Sequence, residues 1–340
     1  MRKEIKLDHG KVISNKSTFI IAEIGSNHCN EIELALKSID TAADCGADAI
    51  KFQSLNVKKQ YHNPSEELID LHKKIDLPES WYEKLKEKCD QRKVIFVSSP
   101  TYKDSIDLLQ NVDVCLYKIA SAQVATSPYL VSEIAKKRKP VILSTGLVEL
   151  SDLENMIKIF KKYKNENYII LHCNSIYPAP AEKVYLKRMV KYSEYFKSFV
   201  GFSDHTENNL ASLSAVSLGA SVIEKHFTLS KNFDSPDAKF AYEPKEFAEF
   251  VDQIKETNMI IQFKERNYLE TEEIEFKSKI RNFLISTKAI PPNKKIDSSN
   301  STFVRGEGGF LEETIIYNDK EIYAKNFIKE NCWIKRSDLI

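Results

Sequence analysis

The chain has no cysteine pair at CxxC spacing, no apolar stretch as long as a membrane span, and no excess of either charge. Each absence removes a class of function. The six cysteines (Cys29, Cys45, Cys89, Cys115, Cys173 and Cys332) are scattered over 340 residues. No disulfide framework is indicated, and free thiols in a reducing compartment are expected. No run approaches the roughly 20 apolar residues that a spanning helix needs. The opening MRKEIKLDHG is charged and lacks the apolar centre of a secretory signal, so a cytoplasmic protein without a membrane partner is expected. Lys and Arg number 50 against 49 Asp and Glu, a formal net charge of +1, which offers no electrostatic handle for nucleic acid. The GxxxxGK(S/T) pattern is also missing, which excludes a nucleotide P-loop.

Hydrophobic residues make up 42% of the chain, enough for a large core, and they come in short runs. FIIAEIG (19–25), AIKFQ (49–53), VIFVSSP (94–100), CLYKIAS (115–121), PVILSTG (140–146), YIILHCN (168–174), FVGFSDH (199–205) and VIEKHFT (222–228) are β-rich and nearly continuous, as in parallel strands buried on both faces. Segments with helical spacing separate them, among them EIELALKSIDTAADCGA, SWYEKLKEKCDQRK and EPKEFAEFVDQIKETNMIIQF. A doubly wound open sheet is the rival architecture. Eight repeats, with polar residues at every strand's C-terminal end, favour an α/β fold of the (β/α)₈ TIM-barrel type, whose active sites lie at that face. The barrel domain is placed at 1–264, with an N-terminal hairpin over 1–17. A charged linker follows at 265–280, and a small β-rich domain at 281–340.

The strand ends would supply Glu23, Lys51, Gln53, Ser98, Ser99, Lys118, Ser121, Ser144, Thr145, His172, Asn174, Ser175, Ser203, Asp204, His205, Glu224, Lys225 and His226 to one mouth. Lysines and hydroxyls at many ends suit a small phosphorylated substrate, although single Ser and Thr residues also cap helices. His205 and His226 close successive strands. Singly each is read as structural; as a pair facing one mouth they suit a borderline divalent metal that leaves positions open for a substrate oxygen. His172 is read as structural. Glu23 and Glu224 have no evident cap or salt-bridge role and are candidate acids or bases. From these residues alone the expectation is a metal-assisted barrel enzyme acting on a phosphorylated small molecule.

Taken together, FIIAEIGSNH, GADAIKFQ, YKIAS, ILSTGL, LHCNSIYPAP, GFSDHT and IEKHFT resemble the signatures of the sialic acid synthases, in family order over about Phe19–Pro244. TKAIPPNKKIDSSNSTFVR resembles part of the antifreeze-like (SAF) domain that ends them. The resemblance implies condensation of phosphoenolpyruvate (PEP) with the open-chain aldehyde of an N-acylated hexose, giving a nine-carbon 2-keto-3-deoxy sugar acid of the N-acetylneuraminate or legionaminate type. It implies that His205 and His226 hold Mn²⁺, or Mg²⁺ or Co²⁺, as cofactor. Lys51, Lys118, Ser121, Ser144, Ser175 and Ser203 would surround PEP, and Glu23, Glu224, Lys51 and Tyr177 would form the catalytic set. Gln53, Tyr177, Asp237 and Arg305 would meet the sugar, with Arg305 reaching across a domain-swapped homodimer. The chain departs from the family pattern at Cys29-Asn30, at Thr101-Tyr102 and at Arg305-Gly306. A barrel aldolase working without PEP and a non-catalytic carbohydrate-binding protein are the alternatives; intact Glu23, Lys51, His205 and Glu224 argue against the second.

Overall fold

The computed structural model describes residues 4–262, 266, 268–306, 308–309 and 321–340. The chain divides into two compact units, Met1–Phe263 and Lys264–Ile340. The expected boundary at 264/265 falls outside the described residues.

The first unit begins with an antiparallel hairpin, β1 (Glu4–Lys6) and β2 (Val12–Ser14). Eight parallel strands follow: β3 (Phe19–Gly25), β4 (Ala49–Ser54), β5 (Ile95–Pro100), β6 (Tyr117–Ile119), β7 (Val141–Ser144), β8 (Tyr168–Cys173), β9 (Phe199–Asp204) and β10 (Val222–His226). Their spatial order is β5-β4-β3-β10-β9-β8-β7-β6. β6 lies beside β5, which brings the ring to near closure. This is the TIM barrel expected from eight strand–helix repeats.

The strands are hydrophobic on both faces because both are covered. One side-chain parity fills the barrel: Phe19, Ile21, Ala49, Ile95, Val97, Leu116, Ile142, Ile169, Leu171, Phe199 and Val222 form one cluster, joined by Ile5 and Ile13 of the hairpin. The other parity packs against the helices, through residues such as Ile20, Ala22, Ile50, Phe96, Ile119, Leu143, Ile170, Phe202 and Ile223. Truncating a fully buried member such as Ile142 or Ile169 to Ala would cost about 2–5 kcal/mol.

The helices follow the same logic. Helix Ile32–Asp44 buries Ala35, Ser38, Ile39 and Ala42, a stripe at the i, i+3, i+4, i+7 spacing of a 3.6-residue turn. It stops at Gly46, whose φ of +93° only glycine adopts at no steric cost. The Gly46 N–H bonds Ala43 O at 2.9 Å and the Ala47 N–H bonds Ala42 O at 3.1 Å, the paired bonds of a Schellman stop.

The second unit contains a two-stranded antiparallel sheet, β11 (Asn282–Ser286) and β12 (Ser301–Arg305). Its core is Leu284, Ile290, Ile296, Ala324, Ile328 and Ile334. Within the segment read as a linker lies a helix, Thr271–Lys279, none of whose side chains is buried. No helix among the described residues is long and apolar enough to cross a membrane. All six cysteines are free thiols.

Candidate active site

Alternation along each strand decides which side chains reach the mouth. Inward-facing Ile21 of β3 is followed one pleat later by Glu23. Ala49 of β4 is followed by Lys51 and Gln53, Leu116 by Lys118, Ile142 by Ser144, and Val222 by Glu224 and His226. The barrel interior therefore changes from aliphatic at the floor to charged at the C-terminal ends. These polar ends surround a cavity of about 340 Å³ lined by Glu23, Lys51, Gln53, Lys118, Ser121, Ser144, Ser175, Tyr177, Ser203, His205, Glu224 and His226. A larger hollow of about 840 Å³ lies elsewhere, among Leu150, Tyr185, Tyr192 and Leu218, and contains none of these buried charges.

Four buried charges form a chain across the mouth. Lys51 Nζ lies 2.7 Å from Glu23 Oε2 and 3.8 Å from Glu224 Oε1. Lys118 Nζ lies 3.4 Å from Glu224 Oε2 and donates to Ser144 Oγ at 2.7 Å. Gln53 Nε2 donates to Glu23 Oε1, and Ser203 Oγ donates to Glu224 Oε1, each at 2.9 Å. Lys51 is the close cationic partner of Glu23 Oε2, while Glu224 Oε2 is buried with only the Lys118 charge beside it and no hydrogen bond. Such an atom is costly to leave unpaired unless a ligand or the chemistry uses it.

The two carboxylates are driven apart. Burial raises the pKa of Glu23, Lys51 opposes this, and Glu224 adds to the rise. Burial would raise Glu224 as well, but Lys118, Lys51 and the Ser203 hydroxyl outweigh it and hold Glu224 below the usual carboxylate range. Pairs of titratable groups separated in this way mark acid–base sites. Lys51 stays charged because Glu224 and Glu23 outweigh its burial, whereas burial dominates at Lys118 and lowers it.

The histidines stand beside this quartet. The His205 and His226 ring centroids are 5.3 Å apart, and Tyr177 lies 4.1 Å from His205 and 6.3 Å from His226. His205 Nδ1 is 2.7 Å from Asn174 O, a carbonyl that can only accept, so Nδ1 is the donor of that bond. Burial lowers the pKa of His226, favouring the neutral ring a metal requires. Its Nδ1 is buried without a hydrogen bond. Two imidazoles facing one cavity fit a divalent cation with open positions. Among the described residues no group of three or more His, Cys, Asp and Glu side chains suits a metal.

Six strand-end residues expected at the mouth do not line the cavity: Thr145, whose Oγ1 donates to Leu171 O, Asn174, whose Nδ2 donates to Lys183 O, and four within the strands that have the opposite parity. Ser98 Oγ pairs with Ser54 Oγ at 2.7 Å, and His172 stacks on Phe202. Asp204 accepts from Ser212 Oγ at 2.6 Å, and Lys225 Nζ lies 3.1 Å from Asp204. The pleat turns all four toward the helices. Asp237 lies on the loop after β10, with Oδ2 3.9 Å from His226 Nδ1. Arg305 ends β12 in the second unit and is exposed. The cavity also contains Thr101, where the chain departs from the family pattern, and Gln60, Gln123, Leu147 and Cys173, and Phe240 packs on both His226 and Tyr177; apart from Thr101, none of these was read from the sequence as a site residue. Only Cys173 carried a usable signal, since it shares the parity of inward-facing Ile169 and Leu171.

A barrel mouth with paired lysines and two carboxylates of opposed acidity suits an anionic substrate. The model of the NeuB family matches residues 38–266, and the chain belongs to that family of nonulosonate synthases, PEP-dependent enzymes of the transferase class whose members typically use a divalent metal. The N,N'-diacetyllegionaminic acid synthase of Campylobacter jejuni is 35% identical over 311 residues, covering 86% of this chain and 92% of that one. A pseudaminic acid synthase of the same species is 38% identical over 260 residues, 73% of this chain and 76% of that one. The crystal structure of a sialic acid synthetase from Leptospira borgpetersenii superposes with a TM-score of 0.75 at 32% identity, over 82% of this chain and 97% of that one.

Proposed function

We propose that this chain joins PEP to the open-chain aldehyde of an N-acylated hexose, a mannosamine-type or 2,4-diacetamido sugar, giving a sialic- or legionaminic-type acid. The observation that supports this most is the meeting of the Lys51–Glu23–Glu224–Lys118 quartet and the His205–His226 pair in one cavity. Lys51 and Lys118, with the hydroxyls of Ser121, Ser144, Ser175 and Ser203, would hold the phosphate and carboxylate of PEP by charge-assisted bonds. His205 and His226 would hold a divalent cation, Mn²⁺ with Mg²⁺ or Co²⁺ as alternatives, which would supply Lewis-acid polarisation of the sugar aldehyde.

In the reaction the PEP methylene carbon bonds to the aldehyde carbon, water adds at the former enol carbon, and phosphate leaves by C–O cleavage. Glu23 would take the proton of that water. Its burial at the mouth and its raised pKa suit a general base. Tyr177, packed at a tilt against His205, and Gln53, bonded to Glu23, would line the sugar end. Glu224, bridging both lysines, would keep them in place between turnovers. A homodimer in which Arg305 of the partner subunit reaches the sugar's acyl oxygen completes the reading, the guanidinium fork being suited to that contact.

The test is mass spectrometry of products after incubation with PEP, Mn²⁺ and a panel of 2-acetamido and 2,4-diacetamido hexoses. A product whose mass equals sugar plus pyruvate, with one phosphate released per product, is expected. Turnover of a sugar without consumption of PEP would instead identify an aldolase.

A further inference from the structure

We infer that Asp237 is a positioning residue for His226: its carboxylate accepts a hydrogen bond from Nδ1–H of that ring and so presents Nε2 to the metal position. The inference rests on the two-histidine metal reading above. His205 shows the same arrangement already formed, its Nδ1 directed to the Asn174 carbonyl at 2.7 Å. For His226 the corresponding nitrogen is buried and has no hydrogen bond. The carboxylate beside it is Asp237, with Oδ2 at 3.9 Å.

The surroundings hold that carboxylate in place. Ser26 Oγ donates to Asp237 Oδ2 at 3.2 Å. Ser26 in turn lies 3.0 Å from Ser235 Oγ, Ser235 donates to Asn27 Oδ1 at 2.7 Å, and Asn27 Nδ2 donates to Phe227 O at 2.9 Å. This network ties the loop after β3 to the loop after β10. Gly25 leaves room for the carboxylate: with φ at +55°, a Cβ there would stand 2.7 Å from Asp237 Oδ2. On the other side of the imidazole the Phe240 ring meets His226 edge to face at 5.0 Å, restricting its rotation. An acceptor that fixes the tautomer and orientation of a metal-binding histidine raises its basicity as a ligand. Asp237 therefore acts on the imidazole in addition to any sugar contact.

The experiment needs no turnover. Mn²⁺ binding is measured by electron paramagnetic resonance without substrates, and the tautomer of His226 by NMR of ¹⁵N-histidine-labelled, metal-free protein. Asp237→Ala is expected to weaken Mn²⁺ binding about 10–100-fold, the usual effect of losing such a partner, and to abolish the Nδ1–H preference of His226. Ser26→Ala should shift both in the same direction by less, with PEP affinity unchanged. It serves as a second variant should Asp237→Ala unfold. Wild-type protein that binds no divalent cation would overturn this inference together with the metal reading. Wild-type binding with affinity and tautomer unchanged in both variants, and only the sugar KM raised, would overturn this inference alone.

Discussion

Acidification is expected to destabilise the barrel through His28. This ring has no exposed surface. It meets Trp81 edge-on at 5.6 Å and lies 6.3 Å from Phe52. Its Nδ1 accepts the Asn30 N–H at 3.0 Å, and its Nε2 has no partner. Protonating Nδ1 would break that bond and bury a charge among aromatic rings. Burial accordingly lowers the pKa from 6.5 to about 4. The unfolded chain takes up the proton below the higher value while the native ring resists until the lower one. His28 therefore costs nothing above the unfolded pKa, and stability falls as pH drops through the window between the two. With these values the loss is about 2 kcal/mol near pH ~5 and about 3 kcal/mol near pH ~4. His28→Gln removes the titration and can retain an acceptor. The assay is urea unfolding of both proteins at about pH 7 and about pH 5, followed by Trp81 fluorescence in a Trp333→Phe background, since the chain has 2 tryptophans. Equal losses in the two proteins would refute the reasoning, as would a Trp81 fluorescence titration with its midpoint at the ordinary histidine value.

Glu23→Gln should leave PEP binding intact and lower kcat by roughly 10²–10⁴-fold in steady-state assays, the range for a positioned acid or base; an unchanged kcat would reduce Glu23 to a structural role. Chelation should abolish turnover and Mn²⁺ should restore it, while His205→Ala should lose metal affinity and turnover together; a metal-stripped enzyme at full activity would end the metal reading. PEP labelled with ¹⁸O in its bridging oxygen should release the label with phosphate, and label retained in the keto acid would instead place attack at phosphorus. Mixing His205→Ala and Arg305→Ala proteins under subunit exchange should recover activity, whereas proven heterodimers without recovery would confine Arg305 to its own chain.

The barrel was legible because each strand is a short run bounded by breakers, and eight such runs with helices between them leave few alternatives. Much of the mouth was legible too, because polar residues interrupt otherwise aliphatic strands only at their ends. What the list of strand ends missed was the pleat. Neighbouring polar residues such as Asp204 and His205, or Glu224 and Lys225, look alike in sequence, yet alternate positions leave the sheet on opposite faces. Counting parity from Val222 separates Glu224 and His226 from Lys225. Gln60, Leu147 and Phe240 were not legible, because they come from connections whose path no periodic pattern records. The quartet's distances were also beyond reach, since they depend on the ring bringing β3, β4, β6 and β10 around one axis.

Lys225 has a consequence for how the barrel assembles. It is buried on the outer face, where Nζ lies 3.1 Å from Asp204 Oδ2, donates to Thr206 O at 2.6 Å and sits 4.5 Å from the centre of the Tyr242 ring. Its neighbours Glu224 and His226 are equally committed to the interior. If β10 docked one residue out of step, every side chain would exchange faces. Lys225 would enter the mouth, and Glu224 would be driven among the helices away from Lys51, Lys118 and Ser203. Both placements strand buried ions, and a buried ion without its partner costs several kcal/mol. Along a purely aliphatic stretch such as Ile169–Leu171 of β8 a slip exchanges one hydrocarbon for another at modest cost. The charged pair on opposite faces of β10 thus acts as a proofreading device for the strand that carries the chemistry, rejecting a mispaired barrel before it can persist.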